Sequence, residues 1–391
     1  MKLSRRKMLL STGTLLAGSY LQVKGNPLIS TQQSAHSLVK DTPDLSEAIN
    51  LHDIERIAKE KMSKMAYVYI DSGAADEITV RWNLEAWQKL KLQPRVLTDV
   101  SKLDTKINLL GQQLDYPILI APTAYHKIIH PDGEIATAKG AGKANTLFVV
   151  SSNTTTPIEE ISQAATSPLW FQLYIQDDRE FTRNLVQKVI AQGVKALCVT
   201  VDTPVTGMRD RQIKSGFKLP EGVVAPYMSD RSMARAGKTP HALKPLTWKD
   251  VEWLRSISSV PVLLKGILNP LDADEAIKVG ASGIIVSNHG GRNLDTLPAT
   301  ADVLPRIADL VAGRIPVLMD GGIRRGTDVV KALALGADAV LIGRPICYGL
   351  GAGGADGVTK VLNILKKEFE TAMILCGKPT LSSIDSSVLL L

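Results

Sequence analysis

Ile284-Ile285-Val286-Ser287-Asn288-His289-Gly290-Gly291-Arg292-Asn293-Leu294-Asp295 is the stretch around which the rest of the chain falls into place. A short β-branched run breaks into a polar segment that is hinged on two adjacent glycines and carries one histidine and one arginine. Bounded by Gly283 and the Gly290-Gly291 pair, the apolar run reads as a buried strand entering a loop. His289 and Arg292 then lie just past a strand's carboxyl end, where α/β folds place their chemistry. A base beside a fixed cation suits removal of a proton next to a carboxylate.

Outward from this strand the same pattern recurs. Strand-like runs occur at Pro117–Ala121, Leu147–Ser151, Leu169–Tyr174, Ala196–Val201, Val262–Lys265, Gly283–Ser287, Val317–Met319 and Ala339–Ile342. Helix-like stretches fall between most of them, among them Glu134–Asn145, Glu180–Gln192, Leu271–Val279 and Thr327–Leu335, and a further one precedes them at Asp53–Met65. Alternation of this kind predicts parallel strands joined by right-handed crossovers. Eight such units close a (β/α)8 TIM barrel. An open doubly wound sheet is the alternative, but no GxGxxG follows the first strand. The interval from Asp202 to Val262 contains Pro220, Pro226, Gly237, Pro240 and Pro245 with little helical period. Following the fourth strand on the catalytic face, it reads as a lid-like insertion at about residues 214–247.

The chain of 391 residues is 45% hydrophobic and 22% charged, with a net charge of +7. No internal stretch is long and apolar enough to span a bilayer. No Lys/Arg block interleaved with aromatics is present, which argues against nucleic acid as a partner. Cys198, Cys347 and Cys376 show no metal-ligand spacing, and Cys198 sits in an apolar run as a small core residue. No metal is expected. The segment Ser4-Arg5-Arg6-Lys7-Met8-Leu9 and the mildly apolar run to Leu21 resemble a twin-arginine export signal over residues 1–24. Residues 25–44 read as a linker and 45–391 as the barrel.

Several strand ends carry polar groups where an apolar core would otherwise continue. Gln172 and Tyr174 close the third strand, Thr200 and Asp202 the fourth, and Lys265 the fifth. Arg209 follows shortly, and with Arg292 it could grip a carboxylate from two sides. After the seventh strand comes Asp320-Gly321-Gly322-Ile323-Arg324-Arg325-Gly326, and after the eighth Gly343-Arg344-Pro345. In such barrels the loops after these two strands commonly form a phosphate site from backbone N–H groups and a helix start.

From about Leu51 to Leu381 the chain resembles the FMN-dependent α-hydroxy-acid oxidases and dehydrogenases, which include glycolate, lactate and 4-hydroxymandelate oxidases. The resemblance is carried by Ser287 to Arg292 with Leu294-Asp295, Asp320 to Asp328, Thr200-Val201-Asp202-Thr203-Pro204 and Phe171-Gln172-Leu173-Tyr174. It implies FMN as cofactor and His289 as active-site base, oriented by Asp202. It implies that Arg209 and Arg292 hold a substrate carboxylate, assisted by Tyr69 and Tyr174. Lys265 is expected near flavin N1 and O2. Ser151, Gln172, Thr200, Ser287 and the backbone of Pro122-Thr123-Ala124 are expected against the isoalloxazine or ribityl chain. Asp320, Gly321, Gly322, Ile323, Arg324, Gly343 and Arg344 are expected on the ribityl chain and phosphate.

Two departures stand out. After Ser151-Ser152 many members carry an aromatic residue, and this chain has Asn153. Tyr125 follows Ala124 where several relatives carry a smaller or aliphatic side chain. His126 and His130 have no partner motif and read as structural. The function implied is oxidation of an L-2-hydroxy acid, lactate-like or mandelate-like, to the 2-keto acid, with electrons passed to O2. The alternatives are a quinone- or cytochrome-linked dehydrogenase and, from a different class, a non-catalytic flavin-binding barrel. The family also implies a homotetramer.

Overall fold

The computed structural model describes residues 44–228 and 246–390. The expected export signal at 1–24, most of the linker, and residues 229–245 of the lid-like insertion lie outside the described residues. The eight expected strands are all present. We label them β1 (Ile118–Ile120), β2 (Phe148–Ser151), β3 (Leu169–Leu173), β4 (Leu197–Thr200), β5 (Val262–Ile267), β6 (Gly283–Val286), β7 (Val317–Asp320) and β8 (Ala339–Ile342). All pair in parallel with their sequence neighbours, and β8 pairs with β1 to close the barrel. β5 runs two residues beyond the expected Lys265, and a register shift between Lys265 and Ile267 marks the extension.

Strand pleating sorts the side chains into two cores. Outward residues such as Ile118, Val150, Phe171, Val199, Leu264, Ile284 and Met319 pack against the surrounding helices. Inward residues Leu119, Val149, Trp170, Cys198, Leu263, Ile285, Leu318 and Leu341 fill the barrel, each at most 1% exposed. Cys198 is therefore the core residue its sequence context predicts. A short hairpin, Ile107–Leu109 paired antiparallel with Gln112–Leu114, sends Leu109 and Leu114 into that inner core and closes the barrel's amino-terminal end.

The helices preceding the barrel bear on the catalytic end. The expected helix at Asp53–Met65 is two helices, α1 (Leu51–Lys61) and α2 (Lys64–Asp71). The break has a local cause: Met62 is extended, and the Ser63 hydroxyl accepts from the Ala66 N–H at 3.2 Å to cap a new helix. α3 (Ile78–Lys89) begins at Glu77, whose φ of 59° is left-handed and whose side chain gives no cap. Its cap comes from far along the chain. Asp295 accepts from the N–H groups of Thr79 at 2.8 Å and Ile78 at 3.2 Å. Asp295→Ala should therefore destabilise the protein by about 1 kcal/mol in urea unfolding; an unchanged midpoint would show that this cap is energetically idle.

Candidate active site

Continuing each inward row one step past the apolar layer reaches Ala121, Ser151, Gln172, Thr200, Lys265, Ser287, Asp320 and Gly343. The period of two thus turns the carboxyl end of the barrel into a polar layer. Its members are hydrogen-bonded in two groups. Ser151 donates to Gln172 Oε1 at 3.0 Å, and Gln172 Nε2 donates to Thr200 Oγ1 at 2.9 Å. On the other side Lys265 Nζ lies 3.0 Å from Asp320 Oδ2 and donates to Ser287 Oγ at 2.9 Å, while Ser287 donates to Asp320 Oδ1 at 2.8 Å. Burial pulls the Lys265 ammonium down, but the carboxylates of Asp320 and Asp202 outweigh it and hold it above the ordinary lysine value.

His289 stands two residues past Ser287, with a left-handed φ of 57°. Its backbone N–H donates to Ser287 Oγ at 3.1 Å. Gly290 and Gly291 continue in the left-handed region, and a Cβ on Gly291 would lie 2.9 Å from the Val80 backbone nitrogen, so the loop has no room for a larger residue there. Asp202 Oδ1 lies 3.0 Å from His289 Nδ1, which fixes the proton on Nδ1 and leaves Nε2 as the basic nitrogen. Thr203 donates to the same Asp202 oxygen at 3.1 Å, and Asn293 Nδ2 donates to Thr203 Oγ1 at 2.6 Å. Burial lowers the imidazole below its ordinary value; Asp202 opposes this, while Lys265 and Arg209 add to it. Asp202 is held below the usual carboxylate range because His289 and Lys265 outweigh its burial.

Next to the histidine lies a group of cations without acids. Arg292 Nη1 donates to the carbonyls of Ile70 at 3.1 Å and Ser72 at 2.5 Å. Arg209 Nε donates to the Arg292 carbonyl at 3.1 Å. Arg344 reaches the carbonyls of Ile70, Ser72 and Gly290. None of Arg209, Arg292, Arg324 and Arg344 pairs with a carboxylate among the described residues. Burial, with Arg209 and Arg344 close by, brings the Arg292 guanidinium down to about 9. Such a cluster is electrostatically complete only with an anion. Tyr69 packs beneath Arg292, its ring centroid 5.3 Å from the guanidinium carbon. Tyr174 follows β3, its hydroxyl held protonated by burial and by the neighbouring Asp202 carboxylate.

The loops after β7 and β8 meet the expectation of close backbone approach. Gly321 and Gly322 have φ of 110° and 78°. A Cβ on Gly322 would lie 1.9 Å from the Asn83 carbonyl oxygen, so α3 lies directly against this loop. At Gly343 a Cβ would meet only Ala121 and Thr123, both at 3.9 Å, leaving a shallow cradle at the start of the helix Arg344–Leu375. Arg324 lies half-buried beside these loops, with Ile323 O as a hydrogen-bond partner at 3.0 Å. Glycine loops, a helix start and an acid-free arginine suit a phosphate, and the neutral polar row of Ser151, Gln172 and Thr200 suits the edge of a flat heterocycle. The residues present fit FMN.

A model of the family described as FMN-dependent dehydrogenase matches residues 58–391. The chain belongs to the FMN-dependent dehydrogenase family. A member from Nostoc sp. named L-lactate oxidase is 46% identical over 363 residues, spanning 88% of this chain and 99% of its own. A 2-hydroxyacid oxidase of Dictyostelium discoideum is 44% identical over 376 residues, spanning 94% of this chain and 97% of its own. The solved structure of mandelate oxidase with benzoyl-formic acid superposes with a TM-score of 0.81 at 36% identity, covering 88% of this chain and 98% of that one.

Within this family member, the structure brings His289, Asp202, Arg209, Arg292, Tyr69 and Tyr174 to one side of the barrel mouth and the glycine loops to the other. Pro122, Thr123 and Ala124 follow β1 on the same face. His126 is structural as expected. It is buried, with Nε2 2.6 Å from Thr123 Oγ1 and Nδ1 2.9 Å from Thr137 Oγ1. Asn83 and Trp87, which carry no motif signal, also bear on the site. Asn83 and Asn288 exchange side-chain hydrogen bonds at 2.9 Å in both directions, and Trp87 Nε1 donates to the Gly321 carbonyl at 2.9 Å. α3 thereby ties the histidine loop to the glycine loop.

Proposed function

We propose that this protein is an FMN-dependent oxidase of L-2-hydroxy acids, lactate-like or mandelate-like, that produces the 2-keto acid. The observation that carries this reading is a half-buried histidine, oriented by a carboxylate, beside two arginines that have no acid of their own. Arg209 and Arg292 bind the substrate carboxylate, with the Tyr69 and Tyr174 hydroxyls donating to it and to the neighbouring oxygen. This places the carbinol carbon next to His289. Nδ1–H donates to Asp202, so Nε2 takes one proton from the carbinol centre, and Asp202 stabilises the imidazolium that forms. Lys265 places a positive charge at the inner edge of the site, where negative charge develops. FMN held on this face would supply the acceptor for the two electrons and the second proton of the carbinol centre and, in turn, the donor that reduces O2 to H2O2.

Ser151, Gln172, Thr200, Lys265 and Ser287 would hold the flavin ring and the start of the ribityl chain, together with the backbone of Pro122-Thr123-Ala124. Asp320 to Arg324 with Gly343 would hold the rest of that chain and the phosphate. Arg344 turns its guanidinium toward the Arg292 side, so its contribution at the phosphate is through the helix start that it opens.

Anaerobic mixing of the yellow holoprotein with L-lactate, glycolate and L-mandelate tests the reading. Bleaching followed by rapid return of colour in air, with peroxide, is the expected result. Bleaching that persists until a quinone is added would make it a quinone-linked dehydrogenase, and no bleaching with any acid would leave only a flavin-binding barrel. Arg292→Lys should raise KM by about tenfold or more because an ammonium cannot make the bidentate pair. Equal turnover of acids and their methyl esters would remove the carboxylate role from both arginines.

Two coarser proposals accompany this one. Export rests on the Ser4-Arg5-Arg6 segment, and replacing both arginines with lysine should stop delivery to the periplasm; unchanged delivery would end it. A homotetramer rests on the family resemblance and is supported by exposed Val96, Leu97 and Leu375. Val96 and Leu375 flank the hydrogen bond from Arg95 N–H to the Cys376 carbonyl. A monomer by light scattering would refute it.

A further inference from the structure

Tyr125 is conspicuous on grounds unrelated to any motif. Its φ of 59° and ψ of 52° are left-handed, a conformation that disfavours a side chain with a Cβ and persists only where the surroundings impose it. Those surroundings are rigid. The Tyr125 N–H donates to the Asn153 carbonyl at 3.0 Å, tying it to the loop after β2. On one side Thr123 is held by His126 Nε2, and on the other the His126 N–H donates to the buried Glu134 at 3.1 Å. Pinned at both flanks, the residue points its ring into the barrel mouth. The ring centroid lies 5.8 Å from that of Tyr69 at an interplanar angle of 51°. Tyr69, Tyr174 and Arg209 are the titratable groups whose charges act on its hydroxyl.

Tyr69 borders the place of a substrate side chain, because its hydroxyl and the Arg292 beside it would hold the carboxylate there. It is already covered elsewhere by Phe217, whose centroid is 4.5 Å away at 20°. An aryl group inserted between two rings needs about 7 Å between their centroids, two van der Waals thicknesses. Neither the Tyr69–Tyr125 spacing nor the Tyr69–Phe217 spacing provides it. A hydrogen or methyl substituent needs no such slot.

We propose that Tyr125 is the specificity-determining wall of the substrate side-chain pocket, restricting the enzyme to 2-hydroxy acids with short side chains. The inference rests on the hydroxy-acid reading above and names the substrate class within it. The backbone strain is retained because it aims the ring, and the anchoring of Thr123 and His126 keeps the wall from swinging aside.

The test uses the FMN-loaded full chain as wild type, Tyr125→Phe, Tyr125→Ala and Tyr125→Gly. Rates of flavin bleaching by L-lactate and L-mandelate are measured, together with the affinities of pyruvate and benzoylformate from the perturbation of the flavin spectrum. Wild type and Tyr125→Phe should favour lactate and pyruvate to the same degree, because the ring forms the wall. In the alanine and glycine variants the mandelate-to-lactate ratio should rise by about tenfold or more, and benzoylformate binding should tighten relative to pyruvate. Glycine adopts this φ without strain, so it preserves the comparison if the alanine variant fails to fold. Unchanged ratios in variants that still bleach with lactate would overturn the proposal while leaving the hydroxy-acid reading intact. A wild type that bleaches with no acid at all would overturn both.

Discussion

His289→Gln should leave FMN bound and abolish most of its reduction by substrate, slowing anaerobic bleaching by roughly 100- to 10,000-fold. Glutamine approximates the ring's volume, its amide can still donate to Asp202, and the backbone N–H to Ser287 is unaffected, so the loop and the flavin spectrum should persist. It cannot take a proton at the position of Nε2. Bleaching at the wild-type rate would remove His289 from the chemistry. The histidine's environment adds a pH signature. Burial, aided by Lys265 and Arg209, holds the imidazole below its ordinary 6.5 despite Asp202. A base must be neutral to act, so activity is present above its pKa and is lost as pH falls through it. The acid limb of kcat/KM should therefore lie below 6.5. Asp202→Asn removes the attraction that raises the pKa and should move the limb further to acid. A limb at or above 6.5 in the wild type would contradict the assignment.

Lys265→Met should strongly destabilise the barrel. Lys265 is 4% exposed and its ammonium has two partners, Asp320 and Ser287. Truncating it leaves the Asp320 carboxylate buried beside an apolar side chain, a change of about 3–5 kcal/mol, and it should release FMN as well. The double variant Lys265→Met/Asp320→Asn should recover part of that stability, because no uncompensated charge remains, without recovering FMN affinity. Thermal unfolding and flavin retention on gel filtration measure both. A single variant as stable as the double would show that the pair carries no mutual dependence. The lysine and aspartate come from β5 and β7, while Ser287 follows β6 between them. One substitution thus probes the closure of three neighbouring units at once.

Much of this architecture was legible because it is periodic. The inward rows are fixed by a period of two, and polar residues at the ends of apolar runs at Gln172, Thr200, Lys265 and Ser287 mark where the core stops and the site begins. The glycine pairs were legible for a similar local reason, since only glycine tolerates those backbone angles against neighbouring chain. What escaped reading depends on distance in space. Asn83 and Trp87 look like ordinary helix residues until α3 is laid against the loops after β6 and β7. Asp295 looks like the end of a motif until it caps a helix more than two hundred residues earlier. The Thr203–Asn293 link to Asp202 is of the same kind. The hairpin at Ile107–Leu114 escaped because strands of three residues carry too little alternation to register. The helix break at Ser63 escaped because one capping hydroxyl decides it within a stretch of good helix formers.

That hairpin also governs traffic. With Leu109 and Leu114 sealing one end of the barrel and the apolar layer filling its middle, nothing reaches the polar layer along the barrel axis from the amino-terminal side. Substrate, product and oxidant must all exchange from the carboxyl side, where Tyr69 and Arg209 lie. Any bulky partner that collects electrons must queue at the same threshold.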